Sequence, residues 1–553
     1  MHDLRTPSVV LVAVDSPWKD INGTFYSFSY GVHALRASLM TAPDLQDVTV
    51  ATVDLETHDP DAFFEAVIAH RPTLVALSTY IWSLPVYRGL VQRLRRHDPS
   101  IAIIAGGPAA RRSVMDLQPY LPLRDGLDAI VPGEGEEVIR EVARHHRKPE
   151  WKAGIAGLEW WTGSAWHQNV PAPRPDIDAY ASPYELGLAP RGMTGYIETF
   201  RGCPIHCAFC QWGEQNADRA HSVDYLVRHL EGLRDTEVFN VFFLDAAFNL
   251  HNKAFRNLVE AERQVGVLKD KVVHGHLYPT YLQEAHLEFF ESIGQVQASV
   301  GIQSFDEEAL KRMGRPFDLR KFERTLGLMK GRLDVDIELI FGLPGDNPES
   351  FLRTLDKAIE YGNSVKVFQC LVLPDALLER ADALQIKYDP ETFAIESSMG
   401  WTRADLERYW QQVLRRAEDF PERVQHNDWV GFVCEEAAPP AERDKPRRQA
   451  PEPIAAGAIA NLGGEIGAAQ AGWAFDGARR DGARLFFDLQ GPTGEVVVHV
   501  ERQTPNGRFF HAQDGLAYSY RGEIGQAEAP GLLRVIAALH GKARELFPGE
   551  PAP

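Results

Sequence analysis

Cys203, Cys207 and Cys210 stand at C-x3-C-x2-C spacing inside Thr199-Phe-Arg-Gly-Cys-Pro-Ile-His-Cys-Ala-Phe-Cys-Gln-Trp-Gly213, so three of the chain's five cysteines share one short loop. Thiolates are soft donors suited to iron–sulfur clusters. Three from one loop can each hold an iron of a [4Fe–4S] cube and leave the fourth iron open to another ligand. A zinc site or ordinary apolar packing is the alternative. Zinc wants a fourth Cys or His at regular spacing, and His206 lies within the loop, where it would have to fold back onto a metal its neighbours already hold. Cys370 and Cys434 are remote in sequence and share no such spacing.

A second group of polar residues alternates along Val272-Val-His-Gly-His-Leu277, which puts His274 and His276 on one face of a strand with Tyr278 at its end. No carboxylate or Cys accompanies the pair, so a substrate-facing or packed role fits better than metal binding. His276 and Tyr278 are the candidate catalytic side chains.

The elements that must hold these residues follow an alternating rhythm. Ser8 to Val14 is an apolar run that reads as a buried parallel strand. A loop from Asp15 to Gly23 comes next, followed by a helix near Tyr30 to Met40, a strand at Val48 to Asp54 and a helix at Asp61 to His70. A strand at Leu74 to Ser78, a helix at Pro85 to His97 and a strand at Ala102 to Ala105 complete the series. The order predicts a doubly wound parallel sheet with its ligand at the carboxyl ends of the strands. No G-x-G-x-x-G follows the first strand, which argues against a dinucleotide site. The strand ends instead read Ser78-Thr-Tyr-Ile-Trp82, Ala105-Gly-Gly-Pro108 and Val131-Pro-Gly-Glu-Gly-Glu136. Hydroxyls and exposed backbone N–H groups there suit a polar ligand, and glycines let it approach closely. From Tyr196 onward the alternation resumes as a barrel, with strands at Val238 to Leu244, Val272 to Leu277, Gln297 to Ser304, Val335 to Ile340 and Val365 to Leu373.

Composition narrows the function classes. With 44% hydrophobic and 24% charged residues over 553 positions, the chain is of globular type with room for several domains. A formal charge of -19 argues against general nucleic-acid binding. No apolar run approaches bilayer length, and Met1-His-Asp-Leu-Arg-Thr-Pro lacks a signal peptide's apolar segment, so a cytoplasmic protein with no membrane partner is expected. Few cysteines, grouped as metal ligands, fit a reducing compartment.

On the cysteine loop, the Gly301-Ile-Gln-Ser304 strand end and the Phe341-Gly-Leu-Pro-Gly-Asp346 turn, the chain resembles the radical SAM superfamily. There the triplet follows the first barrel strand, here Met193 to Thr199, and the open iron binds S-adenosylmethionine (SAM). The aromatic residue before the last Cys is matched by Phe209. The resemblance implies that Asp245 and Asn249, after the second strand, stand where relatives bind the SAM ammonium. It implies further that Gln303 and Arg315 approach the cofactor, that Gly342 begins the turn against the adenine, and that Glu338 neighbours the ribose or carboxylate. Gly314 occupies a position where relatives carry Asn.

The first three loops resemble the cobalamin-binding domain that precedes the barrel in many such enzymes. That likeness assigns Ser78, Thr79, Tyr80, Gly106, Gly107, Gly133, Glu134, Gly135 and Glu136 to the cofactor's nucleotide tail. Relatives that ligate cobalt use an Asp-x-His-x-x-Gly loop. The chain has Asp15-Ser-Pro-Trp18 instead, so the cobalt lacks a histidine, and Trp82 is the candidate cover for its lower face.

The chain thus resembles the cobalamin-dependent radical SAM enzymes of the class B methyltransferase type. The expected fold is α/β: a doubly wound Rossmann/flavodoxin-like cobalamin-binding domain at 1–148, a linker at 149–190 with little regular structure, and a partial (β/α)6 TIM-type barrel at 191–400. A helical extension at 401–436, a flexible linker at 437–455 and a small α+β accessory domain at 456–553 follow. The resemblance implies methylation of an unactivated carbon of a natural-product or peptide substrate. Its cofactors would be a [4Fe–4S] cluster, SAM and methylcobalamin, and its reductant an external donor of flavodoxin or ferredoxin type. A 5′-deoxyadenosyl radical takes a hydrogen from the substrate, and methylcobalamin supplies the methyl. A ring-closing or ring-rearranging enzyme without methyl transfer is the rival, and a non-catalytic cobalamin and cluster sensor the second. A methylthiotransferase is disfavoured, because that family adds three N-terminal cysteines and a basic RNA-binding module.

Overall fold

The computed structural model describes residues 7–14, 19–20, 23–24, 28–55, 57–190, 194–214, 219–236, 238, 240–421, 423–427, 452–481, 484–492, 494–502, 511–513, 516–521 and 529–547. The Asp15-Ser-Pro-Trp18 loop, Met193, Cys434, most of the 437–455 linker, and Gly507 with Phe509 lie outside them.

Ser8–Val14 is buried on both faces. Val10, Val12 and Val14 enter one core with the Leu84–His97 helix, while Val9, Leu11 and Ala13 enter another with the Tyr30–Thr41 and Glu136–His145 helices. A strand with two apolar faces can only sit centrally. It does so, with Thr49–Leu55 on one side and Leu74–Ser78, Ala102–Gly106 and Ala129–Val131 on the other, all parallel. The order 2-1-3-4-5 is flavodoxin-like and puts a crevice at the carboxyl ends of the first and third strands. The segment expected to hold little regular structure adds a hairpin, Glu159–Trp161 with Trp166–Gln168, antiparallel to that sheet's edge. Its Trp and His side chains pair across the strands, with Trp160 and His167 rings 4.2 Å apart.

The second sheet contains, among the described residues, seven parallel strands: Gly195–Ile197, Asn240–Phe243, Val272–Leu277, Gln295–Gln303, Asp334–Phe341, Ser364–Gln369 and Val424–Asn427. Six were expected. The seventh follows the Arg403–Asp419 helix, so the stretch expected as a helical extension completes one more α/β unit. Val241, Val273, Val296, Val300, Ile337, Val365 and Val424 face the outer helices as one core. Cross-strand register puts His276 beside Ser299, Ser299 beside Asp336, and Glu338 beside Lys366 on the other face, so the inner wall is polar. Gly275 separates the two histidines because a Cβ there would sit 3.2 Å from Phe248 and 3.3 Å from Phe243.

The C-terminal residues form, among those described, a six-stranded antiparallel sheet. Phe487, Val496, Val498 and Tyr518 pack against the Ala529–Leu546 helix, whose Val535, Ile536 and Leu539 are buried.

Candidate active site

The cysteine loop leaves the first barrel strand at Ile197, and its start is fixed by one carboxylate. Asp245, 2% exposed at the end of the second strand, accepts from the Thr199 amide at 2.7 Å, the Thr199 hydroxyl at 2.6 Å and the Phe200 amide at 3.2 Å. Burial pushes its carboxyl up to about 7 against those hydrogen bonds. Its oxygens serve the loop, from the position that the resemblance sets beside the SAM ammonium. Asn249 is likewise turned inward. Its amide donates to the Tyr278 carbonyl at 2.9 Å, and its Oδ1 accepts from the Tyr278 amide at 2.9 Å, tying the second strand's loop to the third. Asp245→Ala leaves buried donors unmatched and should cost about 1–3 kcal/mol, with Asp245→Asn costing less, as read by chemical denaturation.

Cys203 and Cys207 are each 7% exposed, and Cys210 is half-buried. Burial pushes the Cys210 thiol up to about 11, so its proton leaves readily only when a metal takes its place. No group of three His, Cys, Asp or Glu among the described residues is arranged to hold a single metal ion. The loop is supported from below. The Ala208 amide donates to the Met313 carbonyl at 2.8 Å, and Arg380 donates to the Ala208 carbonyl at 3.4 Å. Gly314 has φ +62°, the left-handed conformation that Gly and Asn both adopt, which explains how Gly replaces Asn there.

Arg315 follows and reaches the loop. Its Nη1 lies 3.5 Å from Cys207 Sγ, its other arm donates to the Gly301 carbonyl, and its guanidinium sits 4.9 Å over the Tyr278 ring. The Tyr278 hydroxyl donates to the Pro316 carbonyl at 2.6 Å, and the residue is 6% exposed. Tyr278, expected as a catalytic side chain, is thus a platform for Arg315. Gln303 has φ +75°, at a bulge between Gly301 and Gln303, and a Cβ on Gly301 would fall 2.5 Å from the Gln303 amide. The Gly in Gly301-Ile-Gln-Ser304 therefore makes room for the Gln. Ser304 donates to Asp346 at 2.7 Å, which locks that strand end to the turn that begins at Gly342, φ +83°. Phe209 packs in a small core with Leu343, Val372 and Cys370. Cys370 is core, with burial pushing its thiol up to about 12.

His276 and Glu338 face the inner wall, Nε2 to Oε2 at 3.6 Å. The His276 side chain is 38% exposed and that of Glu338 12%. Burial works against the Glu338 charge, but His276 and Lys366 outweigh it and hold the carboxyl down at about 2. His276 is therefore the open, addressable group of the pair.

In the first sheet the predicted residues separate into two sets. Ser78, Gly106 and Gly133 lie at the carboxyl edge, and Gly133 is exposed with open space around it. Tyr80 stacks on Trp82 at 4.3 Å, and the Trp82 indole donates to the Val14 carbonyl at 3.1 Å, so both rings sit at the crevice between the first and third strands. Thr79, by contrast, is fully buried, and its hydroxyl donates to the Gly106 carbonyl at 2.6 Å. Glu134 and Glu136 turn away from the crevice to Arg201, at 3.2 and 2.6 Å, while Gly135 starts the helix that follows, against Leu35. Thr79, Glu134 and Glu136, expected at a nucleotide tail, make these contacts within the protein. Arg201, Arg219, Lys366 and Asp336 were not singled out in the sequence, because each acquires its partner from a distant segment.

The two sites face one another. Gln211, next to Cys210, donates to the Pro108 carbonyl of the Gly106-Gly107 turn at 3.1 Å. Residues 197–358 match the model of the radical SAM superfamily and residues 28–143 that of the B12 binding domain. The chain thus carries a B12 binding domain followed by a radical SAM domain. It is 26% identical over 333 residues, 55% of its length and 48% of the relative's, to the 2-(S-pantetheinyl)-carbapenam-3-carboxylate methyltransferase of Streptantibioticus cattleyicolor. It is 24% identical over 348 residues, 57% of its length and 49% of the relative's, to the cobalamin-dependent radical SAM methyltransferase TokK of Streptomyces tokunonensis. The chain spans about half the length of these curated relatives. Its fold is shared with TsrM of Kitasatospora setae, a radical SAM methyltransferase solved with tryptophan and a SAM analogue, at TM-score 0.57 and 18% identity over 77% of this chain and 92% of that one.

Proposed function

We propose that the chain is a cobalamin-dependent radical SAM methyltransferase that moves a methyl group from SAM, by way of cobalamin, to an unactivated carbon of a small natural-product or peptide substrate. The Gln211 to Pro108 hydrogen bond carries the reading, because it brings the cysteine loop against the glycine turn of the B12 binding sheet at the carboxyl ends of both sheets. The names of the two curated relatives, both methyltransferases, support it.

Cys203, Cys207 and Cys210 would hold the [4Fe–4S] cluster, and the crevice at Ser78, Gly106, Gly133 and Trp82 the cobalamin. Bound, the cluster supplies the electron for radical formation from SAM, and the cobalamin supplies the methyl. The chain's own residues position and shield. Arg315 offsets negative charge at Cys207. Gln303, Gly342 and Glu338 line the approach to SAM, and His276 addresses the substrate from the inner wall. The apolar ring of Leu310, Met313, Leu343 and Val372 keeps water from the loop's underside. An external donor of flavodoxin or ferredoxin type supplies the electrons. No helix among the described residues is long and apolar enough to cross a membrane.

The test is metal content of protein purified anaerobically from cells supplied with cobalamin. About four irons and one cobalt per chain are expected, with iron alone lost in the Cys203→Ala/Cys207→Ala/Cys210→Ala variant. Iron without cobalt overturns the proposal. S-adenosylhomocysteine formed beside 5′-deoxyadenosine with substrate separates methyl transfer from the ring-forming rival.

A further inference from the structure

Arg201 and Arg219 sit directly opposite each other in the two-stranded ribbon Phe200–Arg201 with Arg219–Ala220. Like charges in that relation repel. The arrangement is satisfied by carboxylates that come from the other sheet. Glu134 lies between the two, accepting from Arg219 Nη1 at 2.9 Å and through a second, shorter contact, and from Arg201 Nη1 at 3.2 Å. Glu136, the first residue of its helix, accepts from Arg201 Nη2 at 2.6 Å, and Glu198 takes the Nε arm at 3.1 Å. The Arg201 side chain is only 18% exposed and those of Glu134 and Glu136 19% and 11%, so little water screens the pairs. Asp178 extends the network, holding His221 at 2.7 Å and the Ser222 amide at 3.0 Å. The network crosses from the B12 binding sheet to the barrel two residues before Cys203.

We infer that Arg201, received by Glu134 and Glu136, is a positioning clamp that sets the separation between the cobalamin crevice and the cysteine loop. The inference rests on the proposed methyl transfer. Arg201 touches neither cofactor site directly. It acts through the backbone that runs from its own Cα to Cys203 on one side and from Glu134 to the carboxyl edge of the Ala129–Val131 strand on the other. The planar guanidinium of Arg201 gives one N–H to each carboxylate, Nη1 to Glu134 and Nη2 to Glu136, and that fork is directional, so the clamp fixes orientation as well as distance. Two reactions of SAM depend on it differently. Reductive cleavage to 5′-deoxyadenosine needs only the cluster and SAM. Release of S-adenosylhomocysteine in the absence of substrate needs the sulfonium methyl within reach of reduced cobalt: the S–CH3 bond breaks, the cobalt-centred electron pair takes the methyl cation, and the sulfur keeps the bonding pair. A misplacement of about 1 Å costs on the order of a hundredfold in such a step.

The test uses full-length protein loaded with iron, sulfide and hydroxocobalamin, reduced by titanium(III) citrate and given SAM alone. For Arg201→Met and for the isosteric Glu134→Gln/Glu136→Gln variant, iron and cobalt content should match the wild type and 5′-deoxyadenosine formation should stay within about twofold. S-adenosylhomocysteine formation should fall at least about tenfold, with partial return in Arg201→Lys. In cofactor-free protein, a double-mutant cycle of Arg201→Met with Glu136→Gln should cost less than the sum of the single losses of stability. Equal rates of both products in the variants, a parallel fall of both, or additive stability losses would overturn the clamp. A wild type that forms no S-adenosylhomocysteine despite bound cobalt overturns the methyl-transfer reading instead, and the stability cycle still judges the clamp.

Discussion

Lys366→Met should lower the stability of the barrel by about 3–5 kcal/mol, among the largest losses available to a single substitution in this chain. Lys366 sits on the sixth barrel strand with its side chain 9% exposed, and it donates to Asp336 Oδ2 on the neighbouring strand, where Asp336 is wholly buried. Gln297 reaches the same oxygen from the strand beyond, at 3.2 Å. The pair forms the floor of the polar inner wall. Methionine keeps the length of the stem but takes the Lys366 ammonium away from the buried Asp336 carboxylate. A buried charge stripped of its partner costs more than the intact pair contributes, so the double variant Lys366→Met/Asp336→Leu should recover much of the loss. Denaturant unfolding of the single and double variants checks both statements. A double variant as damaged as the single one would mean that the pair is needed for more than charge balance. Glu338 gives a second readout, since Lys366 is one of the charges that hold its carboxyl down and His276 the other.

Legibility in the sequence follows the range of the interaction. Val272–Leu277 was bounded correctly because alternation within one strand is a local property, and Ser8–Val14 because an unbroken apolar run fits only a strand covered on both faces. The cysteine spacing is equally local. Val424–Asn427 was missed because Val424 is its only apolar residue, and its other side chains belong to a polar strand end that carries no strand signature. Asp245 shows the intermediate case. Its place at a strand's carboxyl end was readable, but the direction of its carboxylate depends on Thr199, 46 residues earlier. Glu134 and Glu136 are a like case: a Gly-Glu-Gly-Glu turn carries no sign in the sequence that Arg201 and Arg219, 67 and 85 residues from Glu134, are brought against it. What the sequence withheld was the partner of each buried charge.

Gly107→Ala is expected to destabilise the B12 binding sheet by about 2–5 kcal/mol and to empty the cobalamin crevice while leaving iron in place. Two costs add. The residue has φ +101°, which an L side chain adopts at about 1–2 kcal/mol, and a Cβ there would lie 2.8 Å from the Thr79 carbonyl oxygen and 3.1 Å from the Thr79 amide. Backbone cannot rotate away as a flexible side chain would, so the overlap adds about 1–3 kcal/mol. Thr79 is the wrong neighbour to displace, because it staples two loops together. Its amide donates to the Gly106 carbonyl at 2.7 Å, its hydroxyl to the same oxygen at 2.6 Å, and its carbonyl accepts from Ala109 at 3.0 Å. Moving it shifts the Ser78 to Trp82 loop and the Gly106 to Pro108 turn together, and these are the two sides of the proposed crevice. Pro108 also carries the contact to Gln211, so the displacement reaches the cysteine loop's edge, though not the Asp245 and Met313 contacts that hold its base. Gly154→Ala is the matched control, since that glycine is not among the crevice residues and has no neighbour within 4 Å of a Cβ, and it should change stability by no more than about 0.5 kcal/mol. Cobalt content measured beside iron content in the two variants decides the matter. Cobalt retained in Gly107→Ala at wild-type level would remove this turn from the cobalamin site and leave Thr79 as a purely structural staple.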